Sequence, residues 1–175
     1  VQQKGILKTI KPDLNMHFPE DMIILEKWIV EKPISVIYFD GNKDKYFIKR
    51  FIADNRKVEQ QFIPTGSKIQ LEMVSSDWKP VIEIIFSKTS KGTRVNLTQN
   101  IEELISIKGI RAKGNQLSSH KIKNINLLDP IPYTPPEKTP VMELEVNDEV
   151  NVQNETVLNE ENSINNKEGQ TELEF

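Results

Sequence analysis

Through the first three-quarters of the chain, apolar and β-branched runs recur, each bounded by turn-forming residues. Ile34-Ser35-Val36-Ile37-Tyr38-Phe39 leads into Asp40-Gly41-Asn42-Lys43-Asp44, and Tyr46-Phe47-Ile48-Lys49-Arg50-Phe51-Ile52 follows. This pattern predicts a β-hairpin closed by a short polar loop, with Gly41 free to adopt positive φ. Ile69-Gln70-Leu71-Glu72-Met73 alternates with period two, as a strand with one buried face does. Asp77-Trp78-Lys79-Pro80 turns the chain into Val81-Ile82-Glu83-Ile84-Ile85-Phe86, whose nearly continuous apolar character predicts burial on both faces. Residues 93–97 alternate again, and further strands are expected at residues 22–28, 104–110 and 121–128. Helical spacing is nowhere sustained over three turns, so the expectation is an all-β domain without a helical DNA reader.

A cluster of prolines from Pro130 onward marks a boundary. The reading is therefore a folded domain over residues 1–130 and a Pro-rich linker with an acidic, disordered tail over 131–175. Charge follows the same division. Residues 1–130 carry 21 Lys and Arg against 15 Asp and Glu, whereas residues 131–175 carry 2 against 11. Within the first part, residues 1–87 are nearly balanced at 13 against 12. Lys88, Lys91, Arg94, Lys108, Arg111, Lys113, Lys121 and Lys123, by contrast, face only Glu102 and Glu103. A basic stretch beside an acidic tail is the arrangement expected when a polyanion binds and the tail competes with it. The tail itself alternates Met142, Leu144, Val146, Val150 and Val152 with polar residues, so it could pair with a sheet edge and act as a mimic of the polyanion.

Several chemistries are excluded or disfavoured. The chain has no cysteine, which removes disulfides, cysteine zinc sites and thiol nucleophiles and fits a reducing cytoplasm. His17 and His120 stand far apart without metal-ligand spacing. No apolar run approaches the roughly 20 residues that span a bilayer, and the chain begins with Val1, from which a piece of a longer protein is expected. Trp28, Trp78, Tyr38, Tyr46 and Tyr133 read as core or linker residues.

Lysine and glycine recur in the polar segments 41–45, 88–92 and 113–116, a soft repeat compatible with four-stranded propeller units. Three segments then carry a family resemblance: Glu26-Lys27-Trp28 with the hairpin that follows; Ser75-Ser76-Asp77-Trp78-Lys79-Pro80; and Ile107-Lys108-Gly109-Ile110-Arg111-Ala112-Lys113-Gly114-Asn115-Gln116-Leu117 closing at Ile125-Asn126-Leu127-Leu128-Asp129-Pro130. Together they resemble the C-terminal domain of the A subunit of bacterial type IIA DNA topoisomerases, gyrase and topoisomerase IV. The resemblance implies a partial β-pinwheel of about two to three four-stranded blades, truncated on its N-terminal side, whose basic rim binds and bends duplex DNA. It also implies no cofactor in this piece, with ATP and Mg belonging to the parent holoenzyme. The implied partners are double-stranded DNA, the rest of the A subunit and the ATPase B subunit, in the bacterial cytoplasm at the nucleoid. Lys108-Gly109-Ile110-Arg111-Ala112-Lys113-Gly114 is at most a distant echo of the basic box of gyrases, which leans the resemblance toward topoisomerase IV.

The candidate DNA-binding residues are Lys88, Lys91, Arg94, Lys108, Arg111, Lys113, Lys121 and Lys123, joined by Lys49 and Arg50. These last two are adjacent on a strand and point to opposite faces, so only one of them is expected at the rim. The competing reading is a β-propeller-like module whose basic loops meet an acidic protein partner.

Overall fold

The computed structural model describes residues 1–90 and 92–134. In chain order its elements are β1 (Ile6–Leu7), β2 (Pro33–Asp40), β3 (Lys45–Ile52), β4 (Gln60–Gln61), β5 (Ile69–Ser75), β6 (Val81–Phe86), β7 (Leu97–Asn100), a single helical turn α1 (Ile101–Leu104), β8 (Asn115–Gln116) and β9 (Ile122–Leu128). The strands form a two-stranded sheet β1-β4, a four-stranded sheet β5-β2-β3-β8 and a three-stranded sheet β7-β6-β9, paired antiparallel throughout. The all-β expectation holds. Lys91 and the alternating segment 142–152 of the tail lie outside the described residues.

The hairpin β2–β3 is the centre of the molecule. Its register runs from Pro33 opposite Ile52 to Asp40 opposite Lys45. The turn is set by Asp40, whose side chain accepts the Asn42 N–H (3.1 Å) and whose carbonyl accepts the Lys43 N–H (3.0 Å). Asp44, not Gly41, adopts the left-handed conformation, at φ 50°. Gly41 is required for a different reason: a Cβ there would lie 2.9 Å from the Lys68 carbonyl oxygen, the atom that accepts the Gly41 N–H.

Both faces of this hairpin are covered, because alternate residues feed two separate cores. Val36, Tyr38, Phe47 and Phe51 join Leu7, Phe62 and Leu71 on one side. Ile37 and Ile48 join Met73, Ile82, Ile84, Phe86, Ile101 and Ile122 on the other. The four-stranded sheet is thus a middle layer, with the β1–β4 pair over one face and the three-stranded sheet over the other. Burial on both faces, expected for residues 81–86, belongs instead to β2 and β3; β6 alternates between buried and half-buried positions. Its outward Glu83 accepts from Asn96 and Asn126 (3.0 Å each), and those bonds hold its carboxyl below the usual range.

Three expected strands differ. Residues 22–28 carry a single bridge, Met22 to Gln2, with hydrogen bonds joining Val1 to Ile23 and Ile24, and otherwise run irregularly. Residues 104–110 are not a strand. Ile101, Leu104 and Ile105 have helical spacing, Asn100 caps the turn by accepting the Glu102 N–H (3.0 Å), and Ile101 and Ile105 are buried in the second core. The strand expected at 93–97 begins only at Leu97, since residues 93–96 have no partner across from β6. Beyond Pro130 the packing continues: the Ile131 N–H donates to the Lys79 carbonyl (3.0 Å), and Tyr133 lies against Trp78 with ring centroids 5.0 Å apart.

Candidate nucleic-acid interface

The edge of β3 is where three of the candidate cations, Lys108, Arg111 and Lys113, come together. Residues 108–117 run along it in the opposite direction. The Lys108 N–H donates to the Arg50 carbonyl (2.8 Å), Asn115 and Gln116 pair with Ile48 and Phe47, and the Leu117 N–H donates to the Tyr46 carbonyl (2.9 Å). The segment expected as an inter-strand loop at 113–116 therefore supplies the fourth strand of the central sheet. Lys108, Arg111 and Lys113 on this covering segment are all exposed.

Lys49 and Arg50 leave the candidate set. The strand carrying them is covered on both faces, so although they do point oppositely, neither reaches solvent: they are 1% and 5% exposed. The Lys49 ammonium donates to the carbonyls of Phe62, Ile110 (2.6 Å) and Ala112 (2.7 Å), which uses all three of its hydrogens. Burial pulls its pKa down to about 8. On the other face, the Arg50 guanidinium donates to the Trp78 carbonyl and stands 3.9 Å from Glu102, which also pairs with Lys79 at 3.6 Å. Burial lowers the Arg50 pKa, and Glu102 opposes that shift. Lys49 has a structural role with a consequence for the site. By gripping Ile110 and Ala112 from inside, it fixes the turn, closed by Ala112 N–H to Gly109 carbonyl (2.9 Å), from which Arg111 and Lys113 project.

The remaining cations are linked to this edge through the β2–β3 turn. The Lys121 ammonium stands 3.8 Å from the Asp44 carboxylate of the turn. The Lys121 carbonyl accepts the Ser87 N–H (2.9 Å), which brings exposed Lys88 beside it at the end of β6. Arg94 lies over the Phe86 ring at 5.8 Å, and His120 meets the same ring edge-on at 6.0 Å. Lys123 is exposed on β9, next to buried Ile122. Residue reasoning missed Lys43. It lies in the lysine-bearing turn that the soft repeat singled out, but the charge balance of residues 1–87 hid it. Its ammonium lies over the Phe47 ring at 5.7 Å, and that of Lys113 lies over the same ring at 4.7 Å.

The aromatic residues are structural. Trp28 packs on the first core and its indole N–H donates to the Ala53 carbonyl (3.1 Å). Tyr38 is fully buried and its hydroxyl donates to the Lys113 carbonyl (2.7 Å); burial first and the charge of Asp40 second push its pKa up to about 12. A cleft of about 900 Å³ lies away from this edge, where the N-terminal arm passes β1, and is walled by apolar side chains such as Leu14, Phe18, Leu25 and Trp28.

Residues 1–129 match the family model of the topoisomerase C-terminal domain, Bacteroidota. The chain belongs to this family. The match covers all the strands of the three sheets and the whole β3 edge, so the basic residues under discussion lie on the topoisomerase C-terminal domain itself. No curated protein and no solved structure matches the chain. Membership places it in the context of DNA and of the other topoisomerase subunits. No helix among the described residues is long and apolar enough to cross a membrane.

Proposed function

We propose that this topoisomerase C-terminal domain binds the backbone of duplex DNA along the covered edge of β3 and bends it, presenting a segment for ATP-dependent strand passage by the parent type IIA enzyme. The supporting observation is the run of exposed Lys108, Arg111, Lys113, Lys121, Lys88 and Arg94 from that edge across the β2–β3 turn to the end of β6. Between residues 88 and 123 only Glu102 and Glu103 oppose them, and Glu102 is engaged by Lys79 and Arg50 at the far end of β3.

Cations mounted on strands and tight turns suit phosphate contact rather than base readout, and an enzyme that acts on many sequences needs the former. This piece contributes grip and curvature. Strand cleavage and ATP hydrolysis belong to the rest of the A subunit and to the ATPase B subunit, with ATP and Mg, at the nucleoid. The four-stranded sheet is taken as one blade of a partial pinwheel, with Lys123 extending the basic rim and the acidic tail over 131–175 competing for it. The lean toward the topoisomerase IV type stands on residues 108–114 being at most a distant echo of the basic box of gyrases.

The test is a titration of random-sequence duplex DNA with the full chain across salt concentrations. Five or more phosphate contacts give a log–log slope of about −4.5 or steeper, at roughly 0.9 per contact. A slope near zero, or tighter binding to an acidic protein than to DNA at equal salt, rejects the reading.

A further inference from the structure

Lys43 and Lys113 come from sequence positions seventy residues apart, yet their ammonium groups lie over one ring, Phe47, at 5.7 and 4.7 Å. Each is carried on backbone that is tightly held. On the Lys43 side, Asp40 closes the turn through its carboxylate and carbonyl, and the Gly41 N–H is anchored on Lys68 (2.8 Å). On the Lys113 side, the buried Tyr38 hydroxyl holds the Lys113 carbonyl, and Gly114 at φ +88° lets the chain approach so close that a Cβ would lie 2.3 Å from the Ile48 oxygen. Phe47 is itself buried and stacked on Tyr38 at 5.5 Å, so the platform under the two cations is rigid.

Two like charges held this close are unfavourable unless an anion lies between them. The neighbouring Lys43 ammonium first, and desolvation second, hold the Lys113 pKa below the ordinary lysine range; Asp40 only partly offsets this. Asp40 is an incomplete counter-ion. One of its oxygens accepts the Asn42 N–H, and the other stands 3.9 Å from Lys43. Asp44, the next carboxylate in the turn, is paired with Lys121 at 3.8 Å. The pair therefore lacks a full counter-charge, which an external anion sharing its charge over two oxygens would supply.

Resting on the DNA-binding reading above, we infer that Lys43 and Lys113 form a two-pronged clamp for a single phosphodiester of the DNA backbone, with Phe47 as its floor. The clamp fixes where the duplex crosses the β2–β3 turn. The exposed lysines along the rest of the edge then act as separate contacts. Because both prongs neutralise one phosphate, either lysine alone retains most of the counterion release, and the loss appears only when both are gone.

The experiment is the salt dependence of duplex DNA binding by the full chain and by Lys43→Gln, Lys113→Gln and the double variant, each checked for unchanged thermal unfolding. The clamp gives a double variant whose slope is shallower than the parent's by about 0.9, the value for one phosphate, with little change in either single variant. A loss of about 1.8 in the double variant, with about 0.9 in each single one, assigns two independent phosphates and overturns the clamp. A double variant equal to a parent that binds steeply overturns the clamp and leaves the DNA reading standing. A parent without salt-dependent binding overturns both.

Discussion

Gly114 rests against the Ile48 carbonyl so closely that a Cβ at this position would lie 2.3 Å from the oxygen, and its φ of +88° is left-handed. Both features are needed to bring β8 onto β3. Gly114→Ala is therefore expected to lower stability by more than about 2 kcal/mol in chemical denaturation, from the combined cost of left-handed backbone and a backbone clash. Gly109, where an added Cβ meets nothing within 4 Å, is the control and should tolerate alanine with a much smaller change.

Lys49 donates all three of its ammonium hydrogens to buried or half-buried carbonyls. Lys49→Met keeps the length of the side chain and leaves Phe62, Ile110 and Ala112 without their donor. A loss of about 2–4 kcal/mol is expected from the unsatisfied acceptors. Amide exchange in residues 109–112 should also accelerate, since this side chain holds the Ile110 and Ala112 carbonyls of the turn from beneath.

The same residue fixes a pH dependence. Its folded pKa of about 8 lies below the ordinary 10.5, so between those values the unfolded chain binds the proton more tightly than the folded one. Stability should rise as pH climbs from about 8 toward 10.5, by up to about 3 kcal/mol. Below pH 8 both states hold the proton, and this contribution is flat. Urea denaturation of the parent and of Lys49→Met across that window checks it: the rise belongs to the parent and is absent from the variant.

Tyr38→Phe removes the donor to the Lys113 carbonyl while preserving the stack on Phe47. About 1–2 kcal/mol of destabilisation is expected from the orphaned acceptor. Because burial holds the hydroxyl protonated up to about pH 12, and an ordinary tyrosine stays neutral well below its pKa of about 10, the difference between parent and variant should not change between roughly pH 6 and pH 8.5.

The hairpin was legible from residues 34–52 alone, since two apolar runs around Asp40-Gly41-Asn42-Lys43-Asp44 have one good pairing, and β5, β6 and β9 followed from their apolar or alternating patterns. The depth of burial at β3 was not legible. Lys49 and Arg50 read as surface residues because charged side chains are seldom buried. What satisfies them, the carbonyls of Phe62, Ile110, Ala112 and Trp78, comes from segments 13 to 63 positions away. Lys43 was hidden for the opposite reason: local charge balance concealed a cation that only the return of residue 113 to the same ring makes conspicuous. The single turn α1 was too short for periodicity, although Asn100 and the acidic pair Glu102 and Glu103 are its start signals.

The most direct test of a basic edge as the DNA-binding surface compares two charge-matched triple reversals in the full chain. One converts Lys108, Arg111 and Lys113 to Glu on the β3 edge. The other converts Lys8, Lys11 and Lys57, exposed residues near the β1–β4 pair, where Thr9 bonds to the carbonyls of Asp54 and Arg56. The edge variant should lose affinity for duplex DNA at least about a hundredfold at moderate salt, with its log–log slope shallower by roughly 2 to 3, while the other stays close to the parent. Equal losses in the two variants would mean that net charge alone drives binding and would contradict the account.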